Sequence, residues 1–157
     1  MKVYLIRHAH AVDEDGLLRD EQRYLSARGR RAAREVGHVL RQAQVQVDAI
    51  LTSPLVRAVQ TAELLADMLD FTDVIEVLPA LVPGVPPRLV ATELAVRGAA
   101  VAVIGHEPSI SSLGALLVGI PAFPPMRPAQ VSLIEDGRPQ WFIHPETLAK
   151  ERLLVGV

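Results

Sequence analysis

Ala99-Ala-Val-Ala-Val-Ile104 is an unbroken run of small and β-branched apolar residues ended by Gly105. It has no polar face, so as a strand it must be covered on both sides, which is the situation of a strand inside a parallel sheet flanked by helices. Two shorter runs, Val3-Tyr-Leu-Ile6 and Asp48-Ala-Ile-Leu-Thr52, have the same character. Between them, from Ser26 to about Ala43, apolar residues fall at Ala32, Val36, Val39/Leu40 and Ala43, a helical period that leaves Arg28, Arg31, Arg34 and Arg41 outside. Ser53-Pro54 predicts an N-cap with proline at the first helical position, opening a helix striped by Ala58, Ala62, Leu65 and Leu69. A third strand is expected over Val74–Leu78, a third helix over Pro87–Arg97, and a fourth from Pro108 to about Val118. Phe123–Pro128 reads as an irregular loop, and Ala129–Ile134 with Gln140–His144 as a hairpin across Glu135–Pro139, where Asp-Gly signals a turn. The alternation predicts an α/β three-layer sandwich: a mostly parallel central sheet, an antiparallel edge hairpin and helices on both faces.

The chain of 157 residues fits a single domain, 1–157, large enough for a core without staples. It has no cysteine, which excludes disulfides, thiolate metal sites and a cysteine nucleophile. The net charge of −2 provides no general field for nucleic acid or an acidic membrane, so a bound anion must be held by a local cluster. The apolar run before Arg7 is too short for a signal sequence, which needs about 7–15 such residues. The uncharged stretch Pro108–Met126 carries too many serines and prolines to span a bilayer. A soluble, cytoplasmic protein is expected.

Three expected strand ends carry polar groups of one kind. Arg7-His8 follows the first strand, Arg57 lies in the first turn of the helix after the second, and His106 follows the central strand. Ligands of open α/β sheets bind outside the carboxyl ends of the strands, so these positions converge on one crevice. Two guanidinium forks suit a phosphoryl group, and helix starts at Pro54 and Pro108 direct N–H groups toward the same region. A neutral histidine in such a pocket attacks phosphorus through a ring nitrogen, while a second histidine and the arginines stabilise the equatorial oxygens. This chemistry needs no metal and no cofactor.

Arg7-His8-Ala9, Ser53-Pro-x-x-Arg57-Ala-x-Gln-Thr61 and Gly105-His106 resemble the histidine phosphatase superfamily over nearly the whole chain. The short length, Arg23-x-Leu25-Ser-x-x-Gly29, Leu78-Pro79 and the brief C-terminal hairpin resemble its small bacterial phosphohistidine phosphatase branch. The resemblance implies a phosphoglycerate-mutase-like fold and a hydrolase with His8 as nucleophile and Arg7, Arg57 and His106 completing the phosphate pocket. The Glu107 backbone and Arg23 are further candidates for phosphate or substrate contact.

Two departures stand out. Ala9 replaces the glycine of the superfamily's Arg-His-Gly. Leu78-Pro-Ala-Leu-Val-Pro-Gly84 has no carboxylate where many members carry the leaving-group acid. An alkoxide must be protonated as it leaves, whereas a phosphorylated imidazole protonated on its other nitrogen departs as a neutral ring. The expected substrate is therefore phosphohistidine on a protein, with phosphate as product. A small phosphate ester is the alternative, and a weakly catalytic phospho-binding module the rival from another class. Asp13, Glu14, Asp15 or Glu107 are the carboxylates that would overturn the argument by supplying the proton. Arg23 reads equally as a pocket-mouth contact or a solvated charge. His10 and His38 read as non-catalytic, His144 as a cap on the last strand, and Gln60 and Thr61 as braces.

Overall fold

The structure is a computed structural model that describes residues 1–156. The chain runs β1 (Lys2–Arg7), α1 (Ala27–Gln42), β2 (Ala49–Thr52), α2 (Val56–Met68), β3 (Ile75–Val77), α3 (Arg88–Leu94), β4 (Ala100–Gly105), α4 (Ser109–Val118), β5 (Val131–Glu135), β6 (Arg138–Ile143) and β7 (Lys150–Arg152). One sheet holds all seven strands in the order β3-β2-β4-β1-β5-β6-β7. The first four are parallel, and β5, β6 and β7 continue antiparallel from β1.

The apolar run is indeed central: β4 lies between β2 and β1. Its pleat sends alternate residues to opposite sides. Ala102 and Ile104 join Tyr4, Ile6 and Ile50 against Val36 and Leu40 of α1 and Ala62 and Leu65 of α2. Val101 and Val103 join Val3, Leu5 and Leu51 against Val90 and Leu94 of α3 and Ile110 and Leu113 of α4. Each fully buried Leu or Ile contributes roughly 1.5–3 kcal/mol relative to exposure, so covering both faces is what makes the third layer necessary. Among the described residues no helix is long and apolar enough to cross a membrane.

Several details differ from the sequence expectation. The buried face of α1 is Gly29, Ala33, Val36, Gly37 and Leu40, one position round from Ala32, because the helix packs its glycines against neighbours. A Cβ on Gly29 would lie 2.0 Å from the carbonyl oxygen of His10, so only glycine lets α1 start against the segment that follows β1. Ser26 caps α1, its hydroxyl accepting from Gly29 N. The first turn of α1 contains no acid, and Arg28, Arg30 and Arg31 crowd its positive dipole end, where each cation is disfavoured by about 0.3–1 kcal/mol.

Ser53 is not a helix cap. The capping position of α2 is Leu55, two residues later, and Ser53 serves the site described below. Helix α3 is shorter than Pro87–Arg97, ending at Leu94. The hairpin turn is tighter than Glu135–Pro139, because Asp136 and Gly137 both adopt positive φ (49° and 73°) and close a two-residue connection directly onto β6. Beyond it β7 adds an edge strand that its exposed polar sequence did not signal. His144 directly follows β6, its Nδ1 accepting from Glu146 N and Thr147 N in the connection to β7.

Candidate active site

Parallel register decides which residues meet. Arg7 pairs with Gly105 and Thr52 with Ile104, so β1, β4 and β2 end at one level. The residues that follow them are His8, His106 and Ser53. The His8 and His106 rings stand 5.0 Å apart between centroids, tilted by 51°. Arg57 enters from α2, almost wholly buried, as is His106. Arg7 leaves the end of β1 and donates from Nη1 to the carbonyl of Met126 at 2.8 Å. The sequence places three of these side chains at strand ends and Arg57 in the first turn of a helix; the structure brings the four into one cluster.

His8 Nδ1 lies 2.7 Å from the carbonyl oxygen of Ala9. A carbonyl only accepts, so Nδ1 carries the proton and Nε2 keeps its lone pair. Burial pushes the His8 ring down to about 4; the Ala9 hydrogen bond opposes this, and the charges of Arg57, Arg7 and Arg23 add to it. His106 is pushed down to about 3, by burial first and then by His8 and Arg57. Burial also lowers Arg7, against the attraction of Glu107. Both rings are thus neutral at pH 7.

Both histidines have folded values below the unfolded 6.5, so between those limits the unfolded chain binds more protons. Their contribution to stability is complete above pH 6.5 and is lost as pH falls through about 4 and about 3. The Cε1 proton of His8 is expected to titrate in a ¹H NMR series with a midpoint near 4. A midpoint at 6.5 would show a solvated ring and remove this account of its lone pair.

Among the described residues, three buried side-chain nitrogens have no protein partner: Arg7 Nε, Arg57 Nε and His106 Nδ1. Leaving one buried donor unsatisfied costs about 1–3 kcal/mol, and three from one cluster match an anion with several oxygens. The Ser53 hydroxyl lies 2.7 Å from His106 Nε2 and accepts from Leu55 N at 3.2 Å. With Ser53 donating to Nε2, His106 Nδ1 carries the proton and becomes a donor.

Sequence reasoning missed Asp20. It lies in a short 3₁₀ turn, Asp20–Gln22, between β1 and α1. Its backbone carbonyl accepts from Arg57 Nη1 at 2.7 Å, and its carboxylate from Arg57 Nη2 at 3.1 Å and Arg23 Nη1 at 3.0 Å. Burial raises the Asp20 carboxyl, but the hydrogen bonds from Arg23 and Arg57 outweigh it and hold the group below its ordinary value. The ion pair of Arg57 is with Asp20, across the chain from α2. No periodicity marks a loop carboxylate, and the sole signal was its spacing of three from Arg23.

The remaining candidates separate clearly. Arg23 is held by Asp20 and by the Val12 carbonyl at 2.7 Å, and its charge acts on His8. The Glu107 carboxylate accepts from Ser111 Oγ and Met126 N. Asp13, Glu14 and Asp15 are exposed, and Asp15 accepts from Leu17 N and Leu18 N of its own loop. His10 Nδ1 bonds to Ser26 Oγ, and His38 is exposed. Gln60 accepts from Leu25 N and Thr61 from Ala9 N, which ties the segment after β1 to α2. Beside His106 is an apolar cavity with about 10 Å³ of free space, lined by Leu81, Val85, Val90, Ile110 and others, and it contains no carboxylate. Among the described residues no group of three or more His, Asp or Glu is placed to hold a metal.

The family model for the histidine phosphatase superfamily (branch 1) matches residues 3–82. The phosphohistidine phosphatase SixA of Escherichia coli is 33% identical over 144 residues, covering 87% of this chain and 88% of that protein. A structure of the protein histidine phosphatase SixA complexed with tungstate superposes with a TM-score of 0.85 at 29% identity, covering 95% of this chain and 100% of that one. The fold also matches a structure described as a putative phosphohistidine phosphatase SixA from Agrobacterium tumefaciens, with a TM-score of 0.79 at 22% identity over 92% and 98% of the two chains.

Proposed function

Because the chain belongs to the histidine phosphatase superfamily and is a phosphatase of that kind, we propose that it hydrolyses phosphohistidine on a protein through a phosphorylated His8. The observation that carries this reading is the trio of buried donors without protein partners, Arg7 Nε, Arg57 Nε and His106 Nδ1, beside a His8 ring whose Nε2 is unprotonated. The tungstate bound by the SixA relative is an oxyanion of the kind this trio would hold.

In the first step His8 Nε2 forms a bond to phosphorus as the bond from phosphorus to the leaving imidazole breaks, and the electron pair goes to that ring. Arg7, Arg57 and His106 donate to the equatorial oxygens, whose charge they offset as the transition state forms. Water then attacks the phosphorus on His8, releasing phosphate and restoring the free ring.

The absent acid shapes the substrate preference. Near the cluster, Glu107 is bound to α4 and the Met126 backbone, and Asp20 is held ionised between two arginines. Neither is arranged to protonate an alkoxide, whereas a protonated phosphoimidazole needs no donor. General acid catalysis contributes about 10²–10⁴ in rate. Phosphate release should therefore be slower by at least about 10² from phosphoserine than from a phosphohistidine peptide, with p-nitrophenyl phosphate, whose leaving group is good, between them. Equal kcat/KM for phosphoserine and phosphohistidine would remove the substrate assignment and favour a broad phosphomonoesterase. Phosphate binding with no turnover of any of the three would favour the binding module.

A further inference from the structure

We propose that the arginine-rich start of α1, together with Arg127 across a groove from it, is a docking surface for an acidic segment of the phosphorylated protein. This rests on the reading that the substrate is a phosphoprotein. The groove has a volume of about 380 Å³ and is lined by His10, Arg28, Arg127, Pro128, Pro145 and Glu146. Both of its walls connect to the phosphate cluster along the chain. His10 is two residues beyond His8. Ala129, two residues beyond Arg127, donates its N–H to the carbonyl oxygens of Arg7 at 3.1 Å and His8 at 3.2 Å.

Charge around this groove is unbalanced. Arg28 and Arg127 line it, Arg30, Arg31 and Arg34 follow along α1, and all five are exposed with no salt bridge among the described residues. By contrast Arg23, Arg41, Arg57 and Arg97 each have a carboxylate partner. Against the five, Glu35 of α1 and Glu146 of the groove are the nearby acids in the chain segments that form the face.

The arginines also act against the helix that carries them. Arg28, Arg30 and Arg31 lie at the positive end of the dipole, and Arg30 repels Arg34 one turn away. Local choices that oppose the fold mark places where a chain serves something other than its own stability. The chain as a whole carries −2, so this is a local positive face on a negative protein. A long polyanion such as nucleic acid would meet repulsion around it, whereas a short acidic segment beside a phosphohistidine would cover only the patch. The cluster offers little room beyond phosphate, since the apolar cavity beside His106 has only about 10 Å³ of free space, too little for a substrate side chain. Selection among phosphoproteins has to come from the surrounding surface.

The experiment compares two synthetic phosphohistidine peptides of equal length, one with the histidine flanked by glutamates and one by glutamines. It uses the full chain and the double variant Arg28→Gln/Arg127→Gln. The expected result is a kcat/KM for the glutamate peptide on the order of ten-fold higher, residing in KM and lost at about 1 M salt, where the screening length is about 3 Å. The double variant should lose that preference and hydrolyse the glutamine peptide and p-nitrophenyl phosphate at the parent rate. Equal kcat/KM for both peptides in the parent, or a preference that survives in the variant, overturns the docking surface while leaving the phosphohistidine reading intact. Turnover of p-nitrophenyl phosphate with neither peptide hydrolysed overturns the substrate reading itself, and the docking proposal with it. Stronger inhibition of the glutamate peptide by oligothymidylate than by polyglutamate of equal charge would identify a nucleic-acid site instead and overturn the proposal.

Discussion

His8→Ala is expected to abolish turnover, with a loss on the order of 10⁶, as when the nucleophile of another covalent mechanism is removed. The chain has no cysteine to substitute as attacking group, and His106 is engaged through Nε2 by Ser53. The fold should survive the substitution. The His8 backbone N–H donates to the Gly105 carbonyl at 3.0 Å, a bond that alanine keeps. Arg7, Arg57 and His106 would remain, so inorganic phosphate should still bind. The decisive measurement is a single turnover with radiolabelled phosphohistidine peptide, quenched in alkali, where phosphohistidine is stable. Label should appear on the parent chain and be absent from His8→Ala. A variant that keeps more than about one per cent of the parent rate, or labels equally well, would mean that another group attacks.

The second large effect is expected for Arg57→Ala, with a loss of about 10²–10³ in kcat, the range for removing one donor to a developing oxyanion. The effect has two parts. One is the donor itself, Arg57 Nε, buried without a protein partner. The other is the anchor: Arg57 holds the Asp20 turn by a backbone carbonyl and a carboxylate at once. Arg57→Lys should recover little, because an ammonium lacks the fork that meets both oxygens while presenting a third nitrogen elsewhere. Asp20→Asn separates the parts, since it keeps the backbone anchor and removes the charge. A kcat for Arg57→Ala within about ten-fold of the parent, in a variant with unchanged Tm, would take Arg57 out of the phosphate pocket.

Much of the fold is legible because burial on both faces leaves few options. Ala99–Ile104 has no polar side, so it had to be central, and its flanking runs had to lie beside it. The pleat then divides Ala102 and Ile104 from Val101 and Val103, and helices on both faces follow. Boundaries were less legible where local signals compete. Ser53-Pro54 has the residues of a helix start, yet the Ser53 hydroxyl bonds His106 and Leu55 N, and the helix begins later. The edge strand β7 is polar and exposed, paired through its backbone to β6, and such a strand has no hydrophobic pattern to reveal it.

The sequence by itself determined the layered sheet, the position of His8 and His106 after their strands and that of Arg57 in the first turn of the helix after β2, because strand burial and parallel register are set by short apolar runs. It did not determine what those side chains touch. Asp20 reaches Arg57 across 37 positions of chain, and Ser53 reaches His106 across 53. Only the folded backbone brings such distant groups within hydrogen-bonding range. The same holds for the histidines' low basicity. It comes from burial in a cluster that four separate segments close, and a solvated strand end with the same residues would titrate as an ordinary imidazole.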